Sequence, residues 1–498
     1  MSSKRDPVTR RRFVAGTMAG GAALGLPAGA QAMRRRRARP GTHADVVVVG
    51  AGFAGLTAAR RIVEAGRSAI VLEARDRVGG RVWNHDLGHG QVFERGAAFV
   101  GPTQDHLLSL ARELRVDTFP TYDSGDDLYV AEGVRLVYSD RGPFGTAPPD
   151  PPIAAEIADT VEALDQLSTA VPVSKPWAAA DAAEWDGQTL DSWLRARATT
   201  PAVHALAATV LRALVGAEPR ELSLLFTLFY VAAAGDARHP GTFQRAVNTR
   251  QGAQMSRFHG GSQEVGLKLA ARLGDRVVLN APVRRIAQRD GAVSVASDRL
   301  TVQGRRGIVA IPPTLAGRID YDPKLPSARD QLTQGYRQGT LTKVAAVYDR
   351  PFWRDLGLTG TVLAAGSPVS LAYDGSPPGG KPGIVLGFVG GDDARRYDVL
   401  SPAQRRAAVL AQFESFFGSG ARHPRDVFET IWSREQWSRG CPVGIPGVGV
   451  LTADGSRLRE PVGRIHWAGT ETAIYWNGYM DGAVSSGERA AAEVLAEL

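Results

Sequence analysis

The chain of 498 residues holds a single cysteine, Cys441. That excludes a disulfide scaffold and leaves no cysteine set for a structural metal site. With one cysteine and nine histidines to draw on, metal catalysis is not expected. Long apolar runs are also missing. No stretch reaches the about 18 consecutive apolar residues that a membrane helix needs, and the most apolar helical candidate, residues 222–234 (LSLLFTLFYVAAA), is short enough to be a buried core helix. Aromatic residues make up 7%, charged residues 22% and hydrophobic residues 44%. These values exclude disorder and collagen and suit a soluble globular protein. The length is too great for one compact core, so at least two domains or interleaved lobes are expected.

The formal net charge of +8 would ordinarily raise the question of nucleic acid or an anionic membrane. Its distribution excludes both. Residues 1–40 hold ten of the cations and one anion, so the rest of the chain is close to neutral. The leader runs from Arg10-Arg11-Arg12-Phe13-Val14 through a weakly apolar Gly/Ala-rich stretch to Ala30-Gln31-Ala32. This order resembles a twin-arginine export signal cleaved after Ala32. Residues 1–32 are read as that signal, and 33–42 as a solvated basic arm of an exported protein.

Residues 45–55 read DVVVVGAGFAG. Four consecutive valines suit a parallel strand covered on both faces. Gly50-x-Gly52-x-x-Gly55 then leads into a predicted helix over 56–65. Gly50 permits the tight turn, Gly52 lets backbone approach a pyrophosphate, and Gly55 lets helix and strand pack closely. A second strand over 68–72 ends at Glu73, where a carboxylate can accept hydrogen bonds from ribose hydroxyls. The next run, Arg75-Asp76-Arg77-Val78-Gly79-Gly80-Arg81, adds cations and glycines beyond that acid. It implies a larger dinucleotide than a nicotinamide fold usually takes.

The run EARDRVGGR at 73–81, with Glu94-Arg95-Gly96-Ala97-Ala98-Phe99-Val100-Gly101-Pro102-Thr103-Gln104, resembles the FAD-dependent monoamine oxidases. So do QMSRFHGGS at 254–262, Ala281-Pro282-Val283, Ala310-Ile311-Pro312-Pro313-Thr314 and Lys343-Val344. At the C-terminal end Trp467-Ala468-Gly469-Thr470-Glu471-Thr472 and Trp476-Asn477-Gly478-Tyr479-Met480-Asp481-Gly482-Ala483 extend the likeness, which covers about residues 43–498. It implies an α/β fold in which a Rossmann-like FAD-binding lobe (43–118, 259–333 and 435–498) is interleaved with an α+β substrate lobe (119–258 and 334–434). Within the chain itself, the Pro/Gly-rich residues 140–152 suit a crossing point. Short strands at 277–279, 283–287 and 293–296 suggest a small meander. A last helix is expected over 482–498, with no membrane anchor after it.

The resemblance also assigns residues. Gly50, Gly52, Ala54, Gly55, Glu73, Ala74, Arg75, Gly80, Arg81, Ala97, Val283, Glu471 and Met480 are expected at FAD. The backbone N–H groups of Tyr479 and Met480, opening a helix, would face the reduced flavin's pyrimidine ring. Cys441 falls where animal monoamine oxidases attach FAD through a thioether, although related oxidases bind it without one. Lys343, in an apolar strand where a lysine is costly to bury, would hold a water at flavin N5 and assist reoxidation by oxygen. Tyr479 matches one wall of the family's aromatic cage, and a ring face attracts an amine. The other wall departs from the pattern, because Pro442 stands there; either Trp432 or another ring supplies it, or the cage is open. Phe99 and Gln254 match positions lining the substrate cavity.

These residues point to an oxidase that takes a primary or secondary amine, an arylalkylamine by the apolar cavity, and oxygen, and that releases imine and peroxide. The flavin carries the redox step, so no acid–base triad is required. An L-amino-acid oxidase would need an arginine for the substrate carboxylate, with Arg245, Arg250 and Arg257 as candidates. A polyamine oxidase would need an acidic lining, for which Glu218 and Glu221 are available. A flavoprotein using another electron acceptor is the third alternative. The expected partners are small molecules, with nucleic acid excluded and a homodimer left open.

Overall fold

In the computed structural model the residues described are 42–142, 147–148 and 150–498. The export signal and all but the last residue of the basic arm lie outside them, as do residues 143–146 and 149 of the expected crossing.

Two large sheets, counted among the described residues, organise the chain. The first has eight strands in the order Val277–Val278, Ala69–Leu72, His43–Val49, Thr301–Val309, Ala292–Ser297, Val283–Arg289 and Asp320–Asp322, with Ile465–Trp467 also pairing with Thr301–Val309. The valines of His43–Val49 explain its central place. Val46 and Val48 pack with helices Phe53–Glu64 and Met480–Ala496 on one face. Val47 and Val49 pack with Ile286, Val295 and Trp467 on the other. A strand buried on both faces gains from β-branched side chains throughout, and this one pairs in parallel on both sides.

The expected meander is corrected by this topology. Val277–Val278 pairs in parallel with Ala69–Leu72 at the opposite edge. The antiparallel run is instead Val283–Arg289, Ala292–Ser297 and Thr301–Val309. Strand propensity alone carries no information on which edge a two-residue strand joins.

The second sheet has seven strands, Asp426–Ile431, Leu341–Tyr348, Gly383–Gly390, Leu371–Asp374, Leu358–Ala364, Asp126–Ala131 and Val134–Tyr138. One face carries Leu128, Val344, Ala346, Val362 and Ala372, packed with Val409, Phe413, Phe416 and Phe417 of helix Pro402–Phe417. The other face carries Lys343 and Tyr373 toward a large cavity. The apolar segment expected as a helix over 222–234 is helical over Leu224–Ala232 and wholly buried, because the Ser223 side chain caps its start. The last helix is Met480–Ala496, beginning before the predicted Gly482. Among the described residues no helix is long and apolar enough to cross a membrane.

Helix Phe53–Glu64 presses closest on the turn before it at Gly55, where an added Cβ would stand 1.9 Å from the Gly50 carbonyl oxygen. Gly55→Ala is expected to cost at least about 1–3 kcal/mol through overpacking, seen as a lower urea midpoint for unfolding.

Candidate active site

The turn after the first strand is shaped for a dinucleotide. Gly50 has φ +98, a conformation that L side chains rarely adopt, and its N–H donates to the Leu72 carbonyl at 2.8 Å. Gly52 begins helix Phe53–Glu64, and a Cβ added there would meet no atom within 4 Å. The helix N–H groups therefore face an open cradle suited to phosphate. Buried Glu73 ties the turn together. One carboxylate oxygen accepts from the Ala51 N–H at 2.7 Å and the other from the Arg75 N–H at 2.9 Å. Arg75 and Arg95 line the same cavity, and the Nε of each is buried without a hydrogen-bond partner. Burial and neighbouring Arg75 pull the nearby Arg77 guanidinium down to about 10. Open backbone at Gly52 and spare guanidinium donors fit an anionic dinucleotide such as FAD.

The cavity measures ≈ 1290 Å³ and runs from this turn to Tyr479 and beyond. Every expected cofactor, catalytic and cavity residue lines it except Gly55 and Glu471. Gly55 is pressed against Gly50 instead. Glu471, expected beside the cofactor, is turned away by a buried ion pair. Arg81 donates to its two carboxylate oxygens at 2.6 and 3.0 Å, and the Gly444 N–H donates to it at 2.9 Å. Burial raises the Glu471 carboxyl, but the charge and hydrogen bonds of Arg81 outweigh it and leave a net shift downward. Arg81 also donates to the Pro442 carbonyl at 2.7 Å. Glu471 thus positions Arg81, and Arg81 is the member of the pair that faces the cavity.

Lys343 lies in strand Leu341–Tyr348, whose residues are all buried. Its Nζ donates to the Gly96 carbonyl at 2.9 Å and sits 5.5 Å from the Phe388 ring centroid. Burial pulls it down to about 8, against the raising influence of Glu94. Cys441 is buried in a small cluster with Leu341 and Trp432. Burial pushes its thiol up, against the charges of Arg81 and Lys343.

Tyr479 caps the last helix, and its hydroxyl donates to the Ala246 carbonyl at 2.9 Å. Trp432 was one candidate for the second aromatic wall, another ring or an open cage being the others. Trp432 lines the cavity, but its ring contact is edge-on to Trp83, at 6.5 Å, and its Nε1 donates to the Arg95 carbonyl. The rings beside Tyr479 are Tyr230, at 5.8 Å and 37°, and Trp476, at 4.9 Å and 79°. Tyr230 belongs to the buried apolar helix, and a lone phenol in that run is the signal that could have found it. Phe99 packs against Tyr373 at 5.2 Å. Gln254 lines the cavity, and its Oε1 is buried without a hydrogen-bond partner.

The residues that the sequence offered for the alternatives are engaged elsewhere. Arg257 is paired with Glu94 at 2.6 Å, Arg250 with Asp123 and Asp140, and Arg245 with backbone carbonyls. Glu218 and Glu221 pair with Arg212, Arg337 and Arg395. None of these five residues lines the cavity. Among the described residues no cluster of His, Cys, Asp and Glu could hold a metal ion.

Comparison with known proteins places this arrangement in a class. Residues 53–495 match the flavin containing amine oxidoreductase family. A flavin-containing monoamine oxidase of Mycobacterium tuberculosis is 42% identical over 469 residues, covering 94% of this chain and 100% of that protein. An L-amino acid dehydrogenase of Synechocystis is 36% identical, covering 92% and 96%. The solved cyclohexylamine oxidase of Brevibacterium oxydans superposes with a TM-score of 0.86 at 34% identity, covering 91% and 99%. The chain belongs to the flavin-containing amine oxidoreductases, and it is an enzyme acting on amine donors.

Breaking a buried ion pair on one side costs about 3–5 kcal/mol, and Glu471→Gln is expected to lower the urea midpoint accordingly. A depressed carboxyl contributes stability above its unfolded pKa and loses it on acidification. The wild type should therefore lose more of its stability between neutral and acid solution than the variant does.

Proposed function

We propose that the enzyme oxidises primary or secondary amines to imines, which hydrolyse to aldehyde and ammonia or the corresponding amine, and passes the electrons to oxygen as hydrogen peroxide. FAD, when bound along the cavity, supplies the two-electron acceptor. The observation that carries the reading is Lys343, a fully enclosed ammonium at about 8 in the cavity that also holds Tyr479 and Cys441.

Each residue has a role that its surroundings support. The faces of Tyr479 and Tyr230 favour the nitrogen of an incoming amine over bulk apolar groups. The unpartnered Gln254 Oε1 accepts an N–H from it. Nζ of Lys343 uses one donor on Gly96 and keeps two for a water, and its position near neutrality lets it give up or recover a proton. The helix beginning at Met480 turns its N–H groups toward the cavity and stabilises negative charge there. Cys441 lines the same wall, and we propose that it holds FAD by a thioether.

A panel of amines and amino acids assayed for peroxide tests the reaction. Amines are expected to give peroxide and amino acids not, and bound flavin without peroxide from any amine would end the oxidase reading. Acid precipitation tests the thioether. Yellow colour should stay with the wild-type precipitate and move to the supernatant in Cys441→Ala.

Lys343→Met should separate stability from turnover. Below about pH 8 the folded chain carries this buried ammonium, whereas an unfolded lysine titrates near 10.5. The folding penalty is thus full below pH 8 and fades as pH rises toward 10.5. The variant should melt at or above the wild-type temperature near neutrality while its rate of peroxide release falls.

A further inference from the structure

Strand Leu341–Tyr348 alternates between the two faces of its sheet. Val344 and Ala346 belong to the core under helix Pro402–Phe417, so Lys343, Ala345 and Val347 share the other face. Phe93 packs on that face with Ala345 and Val347, and Phe99 borders the same cluster. The segment from Phe93 to Phe99 therefore lies across Lys343, and its Gly96 carbonyl accepts from Nζ at 2.9 Å. Glu94 stands between Phe93 and Gly96 in this segment. Arg257 is held beside it, because Arg257 and Phe99 are opposite one another in paired strands.

Three charged side chains are thus enclosed together. Glu94 is 1% exposed, Arg257 3% and Lys343 4%. One Glu94 oxygen accepts from Arg257 at 2.6 Å, while the other, Oε1, is buried without a hydrogen-bond partner. Arg257 gives a further donor to the Ser376 carbonyl at 2.9 Å. Glu94 and Arg257 act on Lys343 with opposite sign, and among the described residues Cys441 is the remaining titratable group that acts on it. Burial pushes the Cys441 thiol up, so it stays neutral. On the neighbouring strands Lys343 stands opposite Phe388 and Thr430, which carry no charge. One carboxylate therefore serves two buried cations, and a buried charge is tolerated only with such compensation.

Building on the oxidase reading, we propose that Glu94 is a positioning residue for the transfer of electrons to oxygen, acting through Lys343: it holds Lys343 as an ammonium, and Arg257 weakens that hold. Oxygen takes up two electrons and two protons overall and leaves as hydrogen peroxide. The first electron makes oxygen an anion, and an ammonium beside it favours that charge where a neutral amine does not. Without the charge of Glu94, Lys343 faces Arg257 alone and the amine is favoured. Without the charge of Arg257, Glu94 is left to Lys343 and the ammonium is favoured.

The test reduces the FAD-loaded full chain with dithionite, so that no amine is needed, and follows the return of the flavin band with oxygen against pH. In wild type the rate should fall as pH rises through about 8, where Lys343 loses its proton. The midpoint should move down by about one pH unit or more in Glu94→Gln and up by a similar amount in Arg257→Met, as expected for one charge acting through protein interior. The double variant replaces the buried pair by neutral groups, which is better tolerated than breaking it on one side, and its midpoint should return toward that of the wild type. Where Glu94→Gln does not fold, a fall in midpoint from Arg257→Met to the double variant reads the same charge. A second readout is thermal and independent of oxygen. At about pH 6, below the folded-state value of Lys343, the buried ammonium carries its full cost. Lys343→Met should therefore raise the melting temperature most in the Glu94→Gln background, less in wild type and least in Arg257→Met. A midpoint that both single variants leave in place or move the same way, or a thermal gain equal in all three backgrounds, would overturn the proposal. Reduced wild type that oxygen does not restore would overturn the oxidase reading instead, and the thermal series would still decide the influence of Glu94 on Lys343.

Discussion

Arg81 and Glu471 are 390 positions apart in the chain and meet as a buried, two-pronged ion pair. Arg81 follows the loop after the second strand, where the turn built on Gly50, Gly52 and Glu73 ends. Glu471 precedes the last helix, whose first residues close the other side of the cavity. The same guanidinium reaches the Pro442 carbonyl, and the same carboxylate holds the Gly444 N–H, so the segment carrying Cys441 is fastened between them. The dinucleotide turn, the cysteine wall and the helix at Met480 therefore share one electrostatic anchor. Buried charge is tolerated only where it is paired and hydrogen-bonded, and this pair meets both conditions.

A second buried pair shapes the reactive end. Arg257 and Glu94 meet at 2.6 Å behind the strand that bears Lys343. Their opposite influences on Lys343 partly cancel, and burial is left as the larger cause of its lowered pKa. An ammonium that titrates near neutrality is useful where protons and oxygen are exchanged, and it exists here because the surrounding strand is buried throughout.

The parts of this account that were legible in the sequence are those whose physics is local. The four valines, the Gly50-x-Gly52-x-x-Gly55 spacing and Glu73 define a strand, turn and acid within thirty residues, and the structure uses them together. Lys343, Tyr479 and Cys441 were legible through family resemblance, and they line one cavity. Long-range pairing was not legible. Nothing near Glu471 in the chain announces that Arg81 will occupy its carboxylate. The fold sets Trp432 edge-on to Trp83 and brings Tyr230 beside Tyr479 from a helix 249 positions earlier.

One cavity that brings an amine to bound FAD should show itself on anaerobic addition of an amine to the FAD-loaded protein, followed by absorbance. The yellow flavin band is expected to bleach with an amine and to return when oxygen is admitted. A band that stays oxidised with every amine tried would contradict it.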